Sequence, residues 1–397
     1  MDILQKCIKP NEKRILLIVI DGLGGLPFDG KTELETAQTP NLDRLTKISS
    51  LGLTLPVDYG ITPGSGPAHL ALFGYSPEEH EIGRGILEAL GLGINITQDD
   101  LCIRANFATI KNGIIIDRRA GRISTEENQR LCAMLSSEIK SINDVEIIIK
   151  SGKEHRFVIV LRGQGLDTRI KETDPQKENL PPTKIVPLVP EAQKTADVLN
   201  AFLENAMEIL KNEWPANYLL LRGYAQRPNL PSISERYQLK PAAIATYPMY
   251  KGIARLLGME VLTTYETWSD EIETLQKNYQ NFDFIYLHFK EIDIKGEDGD
   301  FDGKVKLIEQ FDNLLPQILE LNFDVVCITS DHSTPAILKS HSWHPNPFLL
   351  YSPYVIGDDL EKFSERTCAR GSLGIFPQTK VMPLLLAHSL KLNKFGA

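Results

Sequence analysis

Four short runs are apolar at nearly every position: ILLIVI at 15–20, FDFIYLHF at 282–289, DVVCITS at 324–330 and FLLYS at 348–352. A strand with one wetted face alternates apolar and polar residues, whereas a run without alternation is buried on both faces. Such strands form parallel sheets covered by helices, and helical patterns do stand beside these runs. TPNLDRLTKIS begins a helix near Thr39 and Pro40, with proline at a tolerated early position. Residues 303–321 carry another helical pattern, which Pro316 is expected to kink or split. The two ends of the chain therefore predict an α/β fold, a mostly parallel sheet sandwiched by helices. In such sheets ligands bind beyond the carboxyl ends of the strands. Asp21, Asp293 and Asp331 all lie just after such runs.

The middle of the chain follows another pattern. LCIRANFATIKNGIIIDRR alternates and turns at Lys-Asn-Gly, which predicts a hairpin. HRFVIVLRGQG reads as a further strand, and the proline-bearing stretch 167–190 as a long loop. In EAQKTADVLNAFLENAMEILK, residues Val198, Leu199, Phe202, Leu203, Ala206 and Leu210 share one helical face. The expected organisation is a discontinuous α/β domain of residues 1–95 and 232–397. A smaller α+β insertion domain spans 96–231.

With 397 residues, two domains are reasonable. A net charge of −9 argues against non-specific binding to nucleic acid or to anionic membrane. The N-terminal MDILQKCIKPNEKR has no secretory core, and the run at 15–20 is too short to span a bilayer. Five scattered cysteines with no CxxC pair read as reduced thiols of a cytoplasmic protein.

Acidic and histidine residues gather late in the chain. HFKEIDIKGEDGD holds Asp293 and Glu297, and SDHSTPAILKSHSWHP holds Asp331, His332, His341 and His344. Carboxylate oxygen with imidazole nitrogen suits Mn²⁺ or Zn²⁺. Two adjacent ions can clamp a phosphoryl group. GEDGD alone is an ordinary solvated turn, but several such clusters at strand ends point to a site. TPGSGPAHLALFG places Ser65 before an apolar helix, as a cap or as an exposed nucleophile. DRRAGR groups Arg118, Arg119 and Arg122 beside Asp117, while Arg104, Arg162 and Arg222 lie in or after strand-like runs. Guanidinium forks suit carboxylate and phosphate, although a solvated basic turn is the plain alternative. DGLGG is no dinucleotide fingerprint, since its third glycine position is Pro27, and no nucleotide is implied.

Taken together, LLIVIDGLGG, TPGSGPAHLALFGY, GRGILEALG, RANFATI, DRRAGRI, HRFVIVLRG, ERYQLK, YKGIARLLGM and SDHSTP resemble the archaeal-type, cofactor-independent phosphoglycerate mutases of the alkaline phosphatase superfamily. The resemblance covers nearly the whole chain. It implies an alkaline-phosphatase-like fold and two divalent ions, Mn²⁺ first, with Zn²⁺, Co²⁺ or Mg²⁺ as alternatives. It implies that Asp21, Ser65, Asp331 and His332 hold one ion, and that Asp293, Glu297 and His341 hold the other. It also implies that Ser65 is the nucleophile and that Asp117 shuttles protons. Arg104, Arg118, Arg119, Arg122, Arg162 and Arg222 would bind substrate, and Lys251 would lie near its phosphate. Three positions depart from the family pattern. Glu297 replaces a usual histidine, Gly66 a frequent aspartate, and His344 an expected acidic residue. His69, in the helix after Ser65, reads as a helix residue with a local partner.

The expected activity is the interconversion of 3-phosphoglycerate and 2-phosphoglycerate, a step of glycolysis and gluconeogenesis, without 2,3-bisphosphoglycerate and with a phosphoserine intermediate. The two domains would close over a small phosphorylated hydroxy acid, with hinges near residues 95 and 231. The nearest rival is a metal-dependent phosphomonoesterase, or a phosphotransferase using another acceptor such as homoserine. A non-catalytic protein that kept the fold is the rival from another class.

Overall fold

The computed structural model describes residues 3–80, 82–265 and 267–396. Along the chain the strands are β1 (Ile15–Ile20), β2 (Ser50–Leu55), β3 (Asp100–Lys111), β4 (Ile114–Asp117), β5 (Ser141–Ile142), β6 (Val145–Ser151), β7 (Arg156–Arg162), β8 (Tyr218–Gln226), β9 (Pro241–Ile244), β10 (Glu260–Val261), β11 (Phe284–Phe289), β12 (Val325–Thr329), β13 (Asn346–Tyr351) and β14 (Gly374–Pro377). They make two sheets in two compact units, one of residues up to 81 and from Leu230 onward, the other of Ile82–Asn229.

The first unit holds an eight-stranded sheet in the order β10-β9-β11-β1-β12-β13-β2-β14. Every neighbouring pair is parallel except the two made by β13. Each residue of β1, β11 and β12 is buried, as their apolar runs predict, and so is each residue of β9, which those runs did not include. Ile18, Leu287 and Ile328 share a core with Phe311 and Leu315 of the helix Phe301–Leu319. Pro316 lies inside that helix and does not split it. Proline removes the donor that would serve the carbonyl four residues earlier. Here that carbonyl, Asp312 O, instead accepts Asn41 Nδ2 at 3.1 Å. The Asp312 carboxylate takes the backbone N–H groups of Asn41 and Leu42, at 3.2 and 2.7 Å, and so satisfies the start of the helix Pro40–Thr46.

The second unit holds a six-stranded antiparallel sheet in the order β4-β3-β7-β6-β5, with β8 also paired to β3. The predicted hairpin is β3–β4, turning at Asn112 and Gly113, whose φ angles are 52° and 76°. One face of the sheet (Leu101, Ile103, Ala105, Phe107, Leu219, Leu221) packs in a core with the helices Thr125–Glu138 and Gln193–Leu210. The helix Arg84–Gly91, placed by sequence with the first domain, belongs to this unit. Gly85 explains why, since a Cβ there would stand 2.4 Å from Gly223 O and 2.6 Å from Cys102 O. Only a glycine lets this helix lie so close to β3 and β8. Among the described residues no helix is long and apolar enough to cross a membrane.

Candidate functional site

Register brings the acidic residues of the first unit together. Ile20 pairs with Phe289 of β11, and Val19 with Thr329 of β12, so the three strands end level. Asp21 therefore emerges beside Lys290 and beside Asp331, and the helix Glu291–Asp298 presents Asp293 from its first turn. The turn after Asp21 needs glycine. Gly22 has φ +66°, and a Cβ there would stand 2.8 Å from Asp293 Cα.

Asp21, Asp331 and His332 form one group, and Asp293, His332 and His341 another, whose donor atoms all lie within 4.8 Å of one another. His332 Nε2 is 3.1 Å from Asp331 Oδ2 and 3.5 Å from Asp21 Oδ1. Its ring stacks on His341 at 3.6 Å, and His341 Nε2 is 3.7 Å from Asp293 Oδ1. Glu297 stands at the rim, its side chain 52% exposed and its carboxylate 3.6 Å from His341 Nε2. Burial raises its pKa, with the charge of Asp293 adding to the effect.

Ser65 lies beside the first group. The sequence left open a capping role, but Gly64 is the N-cap and Ser65 the first residue of the helix Ser65–Leu72. Its Oγ points at the cluster, 3.1 Å from His332 Nε2. The positive end of the helix dipole lies at this hydroxyl. A Cβ at Gly64 would meet nothing nearer than 3.9 Å, so the approach to Ser65 is open on that side.

Three buried carboxylates crowd together, and one ammonium, Lys290, pairs with two of them, Asp21 and Asp293. Burial pushes Asp331 well above the carboxylate range, and the charges of Asp21 and Asp293 push the same way. Burial also opposes the charge of Asp21, but Lys290, with Nζ at 3.1 Å, and His288 outweigh it and hold that carboxyl low. Asp21 Oδ1 and Asp331 Oδ2 are buried without a hydrogen bond. Orphaned carboxylate oxygens beside neutral imidazoles fit divalent cations with oxygen and nitrogen ligands, which would relieve the repulsion.

Sequence reasoning missed several neighbours of this cluster. His288 Nε2 is 3.3 Å from Asp21 Oδ2, and the Tyr250 hydroxyl donates to the same oxygen. Lys290 bonds Asp293 as well as Asp21. The signal available was position alone, since Lys290 directly follows β11 three residues before Asp293. His69 has the expected local partner, with Nδ1 2.8 Å from Ser65 O, yet it also lies 3.3 Å from Asp331 Oδ2. Burial, helped by His288, pushes its pKa down to about 3, so it stays neutral. Lys251, half-buried on the helix Pro248–Leu256, is not among the groups that meet Asp21; its neighbour Tyr250 is. His344 bonds Ser342 and stacks on Trp343, outside both ligand groups.

The arginines gather in the second unit. A cavity of about 320 Å³ is lined by Arg84, Arg104, Arg118, Arg119, Arg122, Arg156 and Arg222, with Asn106 and His155. Strand register explains four of these. Arg104 and Asn106 alternate onto one face of β3, opposite Arg222 of β8 and Arg156 of β7 respectively. Arg118 forks onto the buried Asp174 carboxylate at 2.8 and 2.7 Å, with Arg222 3.8 Å away. Burial works against the charge of Asp174, and Arg118 more than offsets it. Burial lowers the pKa of Arg222, and Arg104 lowers it further. Asp117 shapes the arginine turn, its oxygens accepting the N–H groups of Arg119 and Gly121 at 2.7 Å each. Arg162 stands apart from the cavity, at the far end of β7 from Arg156. Its guanidinium holds Asp100 at 2.9 and 2.8 Å and the Asn95 carbonyl at 2.9 Å.

The family model described as 2,3-bisphosphoglycerate-independent phosphoglycerate mutase matches residues 46–217. A protein of Aquifex aeolicus described as a probable enzyme of that kind is 54% identical over 408 residues, covering the whole of both chains. A solved structure from Pyrococcus horikoshii superposes with TM-score 0.83 at 32% identity, over 97% of this chain and 100% of that one. The structure titled cofactor-independent phosphoglycerate mutase from Thermoplasma acidophilum has TM-score 0.76 and 33% identity, over 95% and 100%. The chain belongs to the family of 2,3-bisphosphoglycerate-independent phosphoglycerate mutases.

Proposed function

We propose that this isomerase moves the phosphoryl group between the 3- and 2-hydroxyls of glycerate by way of a phosphoserine at Ser65. The observation that carries the reading is the Ser65 hydroxyl 3.1 Å from His332 Nε2, at the edge of three buried aspartates. Asp21, Ser65, Asp331 and His332 would hold one divalent ion, and Asp293, Glu297 and His341 the other; the donor set suits Mn²⁺ or Zn²⁺, and the family resemblance puts Mn²⁺ first. Bound there, such ions lower the pKa of the serine hydroxyl and offset charge on the transferring oxygens.

The chain's own groups supply the rest. Ser65 Oγ forms the new bond to phosphorus as the bond from phosphorus to the 3-oxygen of glycerate breaks. The dipole of the helix Ser65–Leu72 favours the serine alkoxide. Guanidinium groups of the cavity hold the glycerate carboxylate. The 2-hydroxyl then attacks the phosphoserine, reforming Ser65 and yielding 2-phosphoglycerate. Each transfer moves one proton onto or off a glycerate hydroxyl. Asp117 and His155 are the groups that can take it. His155 is favoured because it lines the cavity, whereas the oxygens of Asp117 already accept two backbone N–H groups. Burial lowers the pKa of His155 to about 4, with Arg156 next in effect, so the ring is a neutral acceptor at working pH.

The test is a coupled assay with Mn²⁺ and 3-phosphoglycerate and no 2,3-bisphosphoglycerate, following 2-phosphoglycerate and free phosphate in the same tube. The proposal expects 2-phosphoglycerate with little phosphate. Phosphate without 2-phosphoglycerate would make the chain a phosphomonoesterase. Turnover only with an added alcohol such as homoserine would make it a phosphotransferase.

A further inference from the structure

Lys304 is a fully buried lysine that takes no part in the steps above. It stands in the first turn of the helix Phe301–Leu319, just after the helix that carries Asp293 and Glu297. Its Nζ donates to Gly24 O at 3.1 Å and to Thr334 O at 2.8 Å. Gly24 lies in the loop that follows Asp21, and Thr334 in the loop that begins with Asp331 and His332. Thr334 Oγ1 in turn donates to Asp293 Oδ1 at 2.6 Å and lies 3.0 Å from His332 Nδ1. A buried glutamate, Glu33, and a half-buried one, Glu365, tie the same loops. Glu33 Oε1 is 3.8 Å from Lys304 Nζ and accepts the Ala336 N–H at 2.8 Å. Glu365 accepts the Gly25 N–H at 2.8 Å and the Thr32 hydroxyl at 2.7 Å. Packing does not explain such a cluster, since an apolar residue of similar volume fills a core without the desolvation cost of an ammonium.

We infer that Lys304 is a positioning residue of the metal centre: by clamping the loops after β1 and β12 to the helix Phe301–Leu319, it sets the spacing of Asp21, Asp293, Asp331 and His332, and with it the affinity for divalent ions. Groups behind a ligand shell that orient its members typically change metal affinity by about 10–100-fold when removed. The inference rests on the metal-assisted reading of the cluster.

The test is a Mn²⁺ binding isotherm, read from the electron paramagnetic resonance of free Mn²⁺ and accompanied by a thermal melt of the metal-free protein. Lys304→Met leaves Glu33 as an unpaired buried charge and is expected to lower stability. The double variant Glu33→Gln with Lys304→Met removes that charge and keeps the acceptor for Ala336. It is expected to regain thermal stability yet bind Mn²⁺ about 10–100-fold more weakly than the unaltered chain. Its KM for phosphoglycerate, measured at saturating Mn²⁺, is expected to change by less than about two-fold, because the arginine cavity is untouched. Lys391→Met is the control. That lysine is also buried, on Asn11 O at 2.6 Å and Asp283 Oδ2 at 3.3 Å, but away from the cluster. Its loss should lower stability and leave Mn²⁺ affinity unchanged. A double variant that binds Mn²⁺ like the unaltered chain overturns the inference. An unaltered chain that takes up no Mn²⁺ overturns the metal reading itself, so the two failures are distinguishable.

Discussion

The acidic cluster and the arginine cavity solve opposite problems of charge on opposite kinds of sheet. The cluster sits where three parallel strands end level, and its carboxylates are buried with Lys290 as the ammonium beside them. The cavity lies on the face of an antiparallel sheet turned away from the helices Thr125–Glu138 and Gln193–Leu210, where alternate residues of β3, β7 and β8 project. Buried acids without enough countercharge call for cations, while clustered guanidiniums call for an anion. On the proposed reading, one region activates a hydroxyl and the other holds a carboxylate. That division of labour can be broken by substitutions that touch one region at a time.

The largest effect is expected from Ser65→Ala. Loss of the nucleophile should lower kcat by roughly 10⁴-fold or more, while Mn²⁺ still binds, the ion beside Ser65 more weakly for want of one ligand. A steady-state assay paired with the Mn²⁺ isotherm checks this, and mutase activity of even a tenth of the original would refute the assignment. Next comes Arg156→Ala in the cavity. A lost charge-assisted hydrogen bond is worth about 1.5–3 kcal/mol, so KM should rise by roughly 10–150-fold with Mn²⁺ affinity unchanged. Equal damage to both readouts would dissolve the division. Arg162→Ala sharpens it further. Because this arginine holds Asp100 outside the cavity, its removal should lower stability by about 1–3 kcal/mol in a denaturant melt and leave KM within about two-fold.

The smallest effect concerns a buried acid that belongs to neither region. Glu271, on the helix Trp268–Asn278, is buried with both carboxylate oxygens lacking a hydrogen bond. Burial, reinforced by Glu291, raises its pKa from 4.5 to about 9, with Lys251 acting in the other direction. Between those values the folded state keeps a proton that the unfolded chain has lost, so stability falls as pH rises through that window. Below it both states are protonated and nothing is lost. Glu271→Gln should therefore melt a few degrees higher than the unaltered chain near pH 8 and at the same temperature near pH 4.5. Identical melting at both pH values would mean that Glu271 is ionised in place, as Asp21 is beside Lys290.

The contrast also explains what could be read from the sequence. The central strands of the parallel sheet were legible because they are apolar nearly throughout, and the meeting of Asp21, Asp293 and Asp331 was legible because each follows such a strand. The groups behind them were not. Tyr250, His69 and Lys304 lie in helices whose apolar spacing gives no hint of what they face. In the cavity, DRRAGR was visible as a cluster, but Arg84 and Arg156 enter only through the pairing of Asn106 with Arg156 and the close approach of Gly85. Arg162 looked equivalent to its neighbours until Asp100 took its fork. Asp174 was hidden in a proline-bearing loop, where a lone carboxylate has no pattern to betray it.

The central claim is that the phosphoryl group passes through Ser65. The measurement is a rapid acid quench of the Mn²⁺-loaded chain turning over 3-phosphoglycerate labelled in its phosphoryl group, followed by peptide mapping. The account predicts label on the peptide that contains Ser65, appearing and decaying at rates compatible with turnover. Label on another residue, or turnover with no labelled peptide, would contradict it.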